Sequence, residues 1–353
     1  MFEDLLSAWD GEEIAARFDA RTGAWMFVCV HSTALGPAAG GTRMKVYPDP
    51  DDALGDGVRL SSAMTSKNAM AGLPLGGGKA VIAVPEIPTG PARRELLLRY
   101  ADLVESLRGR YRTACDMNTE SADMDVVGER TTYVFGKTEA AGGSGTSAPA
   151  TADGVDVGLR AAAAHAFGRD DLTGRTVAVQ GVGKVGDPLA RSLAEAGARL
   201  VLADVDDVRA KELADELDGS SVGAEDVFDV DCDVFSPCAT GGVLSRDTIA
   251  RLRCRVVAGA ANNQLAEPAD AERLAERGIL YAPDYVVNAG GIIHLASLEL
   301  LGEDVRARDE RVRAIGETLR EVFRVADDRG ISTAAAADAI VEQRLEAGRR
   351  GAG

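Results

Sequence analysis

The mixed stretch Glu12–Asp19 and the apolar run Ala24–His31 read as strands, with Ala20-Arg21-Thr22-Gly23 between them, so a β-hairpin is predicted near the start of the chain. A helical period follows. Leu54, Val58, Ser61 and Met64 fall on one side of Asp51–Met70 at helical spacing, which places Lys67 near a helix end. Gly76-Gly77-Gly78 follow, read as a turn, and Lys79 leads into the apolar run Ala80–Val84, a buried strand by its pattern. Pro91–Arg108 is amphipathic, and Arg110–Asn118 reads as a strand and turn. Ser121 is the expected N-cap of a helix over Ala122–Phe135, with Asp123 and Asp125 in its first turn, where the helix dipole favours them. Gly136–Pro149 is rich in glycine and serine and is the expected domain boundary.

The second half has a different rhythm. The alanine-rich helix Thr151–Phe167 precedes the buried strand Arg175–Gln180, the helix Asp187–Ala196 and the strand Arg199–Ala203. Strands are also expected at Asp233–Ser236, Arg255–Ala258 and Ile279–Ala282, each ending in small or amide residues. Ile292–Leu301, Asp304–Asp328 and Thr333–Ala347 read as helical, with Gly348–Gly353 as a frayed tail. The fold class is α/β: a Rossmann-like domain plus a second α/β domain carrying the lysines. The expected division is 1–136 together with a C-terminal helix over about 331–353, against 137–330.

Glycines 181, 183 and 186 form GxGxxG (Gly181-Val182-Gly183-Lys184-Val185-Gly186) between a strand and a helix, and Asp204 closes the next strand. Together these are a dinucleotide-binding arrangement. The first glycine makes the turn, the second admits a pyrophosphate, the third lets helix and strand pack, and the helix N-terminus faces the phosphates. Asp204 would accept from a ribose 2′-hydroxyl and repel a 2′-phosphate, so the expected cofactor is NAD rather than NADP. Ligands bind at the carboxyl ends of strands in such a sheet, which makes Cys238, Ala239, Ala260, Asn262 and Asn288 candidate contacts.

Lysine is scarce: six of the 39 basic residues, and two of the six flank the triple glycine. Unlike arginine, a lysine can lose its proton. An amine at the mouth of a buried strand, close to a second amine, has its pKa lowered by desolvation and like charge, so Lys79 is a candidate acid/base. Asp116, at a strand end outside any helix cap, is the candidate carboxylate; a turn aspartate bonding its own backbone is the alternative.

The net charge of −17 argues against a nucleic-acid partner, and it suits either solubility or adaptation to salt. The five cysteines are odd in number and include no CxxC, and the three histidines are dispersed, so neither a disulfide framework nor a metal site is expected. The first residues lack the pattern of a signal peptide, and no apolar run approaches a membrane span. A soluble, cytoplasmic protein with no membrane partner is expected.

The segments GPAAGGTRM, MTSKNAMAGLPLGGGKAVI, TACDMNTESADMD, QGVGKVG, SPCATGGV, GAANNQLA and ILYAPDYVVNAGGII resemble, in order and over nearly the whole chain, the Glu/Leu/Phe/Val amino acid dehydrogenase family in its leucine, valine and phenylalanine branch. The resemblance implies oxidative deamination of an L-amino acid by NAD and water to the 2-oxo acid and ammonia, the reverse reductive amination, a homo-oligomer, and an active site in the cleft between the two domains. It implies that Lys67 binds the substrate carboxylate, that Lys79 handles the water and that Asp116 moves a proton on the substrate nitrogen. It also makes the Gly41 backbone and Asn262 substrate contacts and Thr151 a nicotinamide-side contact. Ala114 and Ile292 resemble the aliphatic branch, whereas Leu295 within Ile293-His294-Leu295, together with Ala39, resembles phenylalanine enzymes. Branched-chain aliphatic substrates are the expectation and phenylalanine the alternative. A 2-hydroxy acid dehydrogenase, or a non-catalytic NAD-binding regulator, is more remote: none of His31, His165 and His294 follows a strand end with a carboxylate in view.

Overall fold

A computed structural model describes residues 6, 7 and 9–351. The chain divides into two compact units. Unit 1 is Met1–Gly145, Leu295–Asp304 and Val341–Gly353; unit 2 is Thr146–His294 and Val305–Ile340. The first crossing therefore falls at Gly145/Thr146 rather than after Gly136. The intervening loop is tied into unit 1. Glu299 accepts from the Gly136 N–H at 2.7 Å and from the Ser144 N–H and Oγ at 3.0 and 2.6 Å, while Thr138 donates to Asp125. The C-terminal helix Thr333–Gly351 is shared between the units and continues through the expected frayed tail as far as Gly351.

Unit 1 is a five-stranded sheet in the order β1-β2-β4-β3-β5, with β1 Glu13–Asp19, β2 Ala24–Ser32, β3 Ala38–Lys45, β4 Gly76–Ala83 and β5 Tyr111–Cys115. The predicted hairpin is present as the antiparallel β1–β2 pair. β2 runs antiparallel to β4, whereas β3 is parallel to both β4 and β5. Strand alternation sorts two cores. Met26, Val28, Val30, Met44, Ala80 and Ile82 pack with Leu96, Leu97 and Tyr100 of helix α2 (Gly90–Ser106). Phe27, Cys29, Val81 and Ala83 pack with Ala53, Leu54 and Val58 of helix α1 (Pro50–Met70). The period of two thus assigns each helix its own face of the sheet.

Two expectations are corrected here. The triple glycine is not a turn: Gly76–Gly78 are the first residues of β4, every residue of which is buried, and none of the three has positive φ. They are glycine because of crowding. A Cβ on Gly77 would lie 2.1 Å from the Thr65 backbone nitrogen of α1, and one on Gly76 1.9 Å from the Ser32 carbonyl oxygen. The second correction concerns the helix expected over Ala122–Phe135. Helix α3 spans only Ser121–Val127 and is capped by Glu120 in a reciprocal box with Asp123. After Gly128 the β-branched and aromatic run Thr131-Thr132-Tyr133-Val134 extends beside β5 instead, with Thr113 N–H bonded to Tyr133 O and Phe135 N–H to Thr113 O.

Unit 2 is a parallel six-stranded sheet in the order β11-β10-β9-β6-β7-β8. Its strands are β6 Thr176–Gln180, β7 Arg199–Ala203, β8 Ser220–Ser221, β9 Val234–Pro237, β10 Val256–Val257 and β11 Leu280–Tyr281. The order reverses between β6 and β9, the doubly wound arrangement whose ligand crevice lies at the carboxyl ends of those two strands. Among the described residues no helix is long and apolar enough to cross a membrane, and no group of three or more His, Cys, Asp or Glu is placed to hold a metal.

Candidate active site

In unit 1 the strand register assembles the site. Ala39 pairs with Gly77 and Thr42 with Ala80, so Gly41 stands level with Lys79; on its other side Gly41 pairs with Ala114 and Thr42 with Cys115. Lys79 reaches Asp116, just past the end of β5, and its Nζ forms an ion pair with Asp116 Oδ2. Gly41 leaves the lane open for that side chain: a Cβ there would lie 2.8 Å from Asp116 Cβ and 2.6 Å from Cys115 O. Asp116 is held from behind as well. Its N–H donates to Thr119 Oγ1 at 2.9 Å, and Thr119 Oγ1 donates to Thr42 O at 2.7 Å.

The Lys79 side chain is 8% exposed. Burial lowers its pKa; Asp116 pulls it back up, and the charge on Arg43 presses it down again. For Asp116, burial works to raise the pKa, but the charge and hydrogen bond of Lys79, with Arg43, outweigh it and hold the carboxyl below its usual range. An ionised carboxylate beside a buried amine with a lowered pKa can divide two proton transfers between them.

Lys67 lies in the last turn of α1, half-buried. The next residue, Asn68, is fully buried and donates to the Gly76 carbonyl at 2.6 Å, which fastens the helix end to the glycine strand. Ala114 and Leu295 converge within unit 1, where a Cβ on Gly136 would lie 3.6 Å from Ala114 Cβ and 3.8 Å from Leu295 Cδ1. Ile292 belongs to unit 2, in the short helix Gly290–Leu295. Arg43 carries no signal in the sequence, where it is one arginine within GPAAGGTRM.

In unit 2 the three glycines of GxGxxG have different surroundings. Gly181 turns with φ +90°, and a Cβ on it would lie 2.7 Å from Ala239 Cβ. A Cβ on Gly186 would lie 1.9 Å from Gly181 O and 3.4 Å from Cys238 Cβ. Gly183 alone faces open space, with nothing within 4 Å of such a Cβ. That is room for a ligand's phosphates against the backbone, and the helix Gly186–Glu195 begins there with no side-chain cap on its N–H groups. These residues fit a dinucleotide. Val182 is buried, Lys184 exposed and Val185 between. Asp204 accepts from the Val182 N–H at 2.8 Å and the Asp206 N–H at 3.0 Å, so it also braces the glycine loop. Its carboxylate keeps further lone pairs for a hydroxyl.

Asn262, at the end of the β10 connection, is oriented by buried Asn288, whose amide donates to Asn262 Oδ1 at 2.9 Å and to Ala260 O at 3.1 Å. Cys238 is bonded through its N–H to Gln180 O at 2.7 Å, and burial pushes its thiol pKa up. Thr151 Oγ1 donates to Ser147 O at 3.0 Å, near the start of the helix Ala148–Phe167. One expectation about the histidines is corrected: His31 does find a carboxylate, Asp10, at 2.9 Å. Its other ring nitrogen pairs with Thr65 at 2.8 Å, so both are engaged in holding the N-terminal segment to β2 and α1.

Residues 20–133 match the family model described as Glu/Leu/Phe/Val dehydrogenase, dimerisation domain, and residues 142–208 and 202–343 match the model described as Glutamate/Leucine/Phenylalanine/Valine dehydrogenase. The chain is 43% identical to a leucine dehydrogenase of Thermoactinomyces intermedius, over 98% of this chain and 94% of that one. It is 44% identical to a valine dehydrogenase of Streptomyces albus, over 96% and 93%. A crystal structure of L-tryptophan dehydrogenase from Nostoc punctiforme superposes with a TM-score of 0.87 at 36% identity, covering 99% of this chain and all of that one. The chain belongs to the Glu/Leu/Phe/Val dehydrogenase family.

Proposed function

We propose that the protein oxidatively deaminates branched-chain aliphatic L-amino acids with NAD, giving the 2-oxo acid and ammonia, and runs the reverse amination. What carries this reading is the pair formed by buried Lys79 and half-buried Asp116 beside Gly41, in a chain 43–44% identical to leucine and valine dehydrogenases. NAD held in the second unit would supply the hydride acceptor for the substrate Cα. Lys67 holds the substrate carboxylate, with the Gly41 backbone and Asn262 as further contacts. Lys79, neutral, takes a proton from the water that adds to the imine carbon. Asp116 carries that proton from Lys79 to the nitrogen, which leaves as ammonia, and Lys79, neutral again, draws the hydroxyl proton as the carbonyl forms. The substrate side chain lies against Ala114, Leu295 and Ile292.

Gly181, Val182, Gly183, Lys184, Val185 and Gly186 cradle the pyrophosphate, Asp204 reads the ribose, and Thr151, Cys238, Ala239 and Ala260 line the nicotinamide side. A cytoplasmic homo-oligomer belongs to the same reading, supported by the match to a dimerisation domain. The test is NADH or NADPH formation at alkaline pH with L-leucine, L-valine, L-isoleucine, L-phenylalanine, L-tryptophan and L-glutamate. Turnover led by an aliphatic substrate with NAD supports the reading. Turnover led by an aromatic substrate, or with NADP, refutes that part of it.

A further inference from the structure

Arg43 lies on the same face of β3 as Gly41, the face that α1 covers. Its Nε is 3.4 Å from Asp116 Oδ2, the oxygen that also meets Lys79, and its side chain is 16% exposed. Its Nη1 donates to Asp56 Oδ2 on α1 at 2.8 Å. Asp56 is itself fixed by the Tyr47 hydroxyl at 2.7 Å and by Arg59 at 2.7 Å. Two cations therefore share one carboxylate oxygen, and only one of them can deprotonate.

We propose that Arg43, anchored by Asp56, is a positioning residue that holds the Asp116 carboxylate in place while Lys79 passes between its charged and neutral forms. The proposal rests on the roles assigned above to Lys79 and Asp116. Each time Lys79 loses its proton, Asp116 loses a counter-ion. Without a permanent cation it would be free to swing or to take up a proton itself. Arg43 supplies that cation, and its charge also opposes the ammonium form of Lys79. The other groups on this face are Asp56 and Lys67 from α1 and Cys29 of β2, paired with Lys79, whose buried thiol pKa is pushed up to about 12; Cys115, next to Asp116 in the chain, packs against the opposite face. Asp56 favours the charged lysine, so Arg43 is the cation working against it.

The experiment compares wild type, Arg43→Met, Arg43→Lys and Lys79→Ala for L-leucine oxidation from pH 7 to 11, with NADH binding as the check on folding. Deprotonation of Lys79 sets the rising limb of kcat/KM. Removing the Arg43 charge raises the Lys79 pKa, so in Arg43→Met the limb moves up by roughly half a pH unit to one unit. Loss of placement lowers kcat by about 30-fold or more, with KM for leucine within about threefold of wild type. Arg43→Lys keeps the charge and loses the fork: its limb returns to the wild-type position, with kcat between the two.

A wild-type limb and kcat in Arg43→Met overturn the proposal, as does a rise in KM alone, which would make Arg43 a direct substrate contact. If Arg43→Met does not fold, Arg43→Lys decides, and wild-type kcat in that variant overturns the proposal. Lys79→Ala separates the two levels. If it turns over like wild type, the underlying site reading fails. If it is inactive while both Arg43 variants behave like wild type, only the Arg43 proposal fails.

Discussion

Both halves of the chain set glycines just before a lysine, Gly76-Gly77-Gly78-Lys79 in unit 1 and Gly181-Val182-Gly183-Lys184 in unit 2, and the two use them in opposite ways. In unit 1 the glycines lie in an interior strand with ordinary φ, each pressed by the protein's own atoms, and the lysine that follows is buried. In unit 2 the first glycine turns the chain with φ +90°, the second faces open space, and the lysine is exposed. Crowded glycines let the protein's own groups approach one another; an open glycine leaves room for a ligand. Near-identical local sequences thus separate a place where proton-transfer groups are assembled from a place where a cofactor can be received.

The sharpest way to break this comparison is Gly41→Ala. Its Cβ would enter the lane between Lys79 and Asp116, so kcat is expected to fall by about 100-fold or more while NADH binding holds. Steady-state rates and an NADH titration check this, and turnover within tenfold of wild type would show that the lane need not be clear. A matched pair comes next. Gly77→Ala, driven against the Thr65 backbone, should cost about 1–3 kcal/mol in urea unfolding. Gly183→Ala should leave the unfolding midpoint unchanged yet weaken NADH by about tenfold, roughly the worth of one hydrogen bond. Equal stability losses in the pair would erase the distinction between crowded and open glycines.

The smallest effect is expected from Asp204→Ala. The NAD/NADP ratio of kcat/KM should fall by about tenfold. NADH affinity should also fall a few-fold, because the Val182 N–H loses its acceptor. An unchanged ratio would remove Asp204 as the ribose reader, and an unchanged affinity would remove it as a brace for the loop.

The legibility of the sequence follows from the range of the forces involved. The hairpin, α1 and the strand–glycine–helix–strand unit could be read because their periods and turn residues are local. The nature of Gly76–Gly78 could not, because what crowds them, Ser32, Thr65 and Tyr111, comes from other elements. The helix over 122–135 was overextended because acidic first-turn residues mark a helix start and say nothing about its end. Gly128 and the strand-forming run of threonines, tyrosine and valine after it carry that signal. Lys79 and Asp116 stood out by residue type and position. Arg43 did not, because one arginine among 33 acquires meaning only when register sets it beside Asp116 and α1 supplies Asp56.

The placement of Lys79 on β4 has a consequence for how the enzyme would fail under stress. β4 is flanked by β2 and β3 and buried along its whole length, so its amides belong to the class that exchanges with solvent only when the surrounding unit opens as a whole. A reactive amine carried on a mobile loop would be lost through local fraying well before the protein melted. Carried on β4, it keeps its register until the sheet itself gives way, so heat inactivation and the collapse of unit 1 become one event.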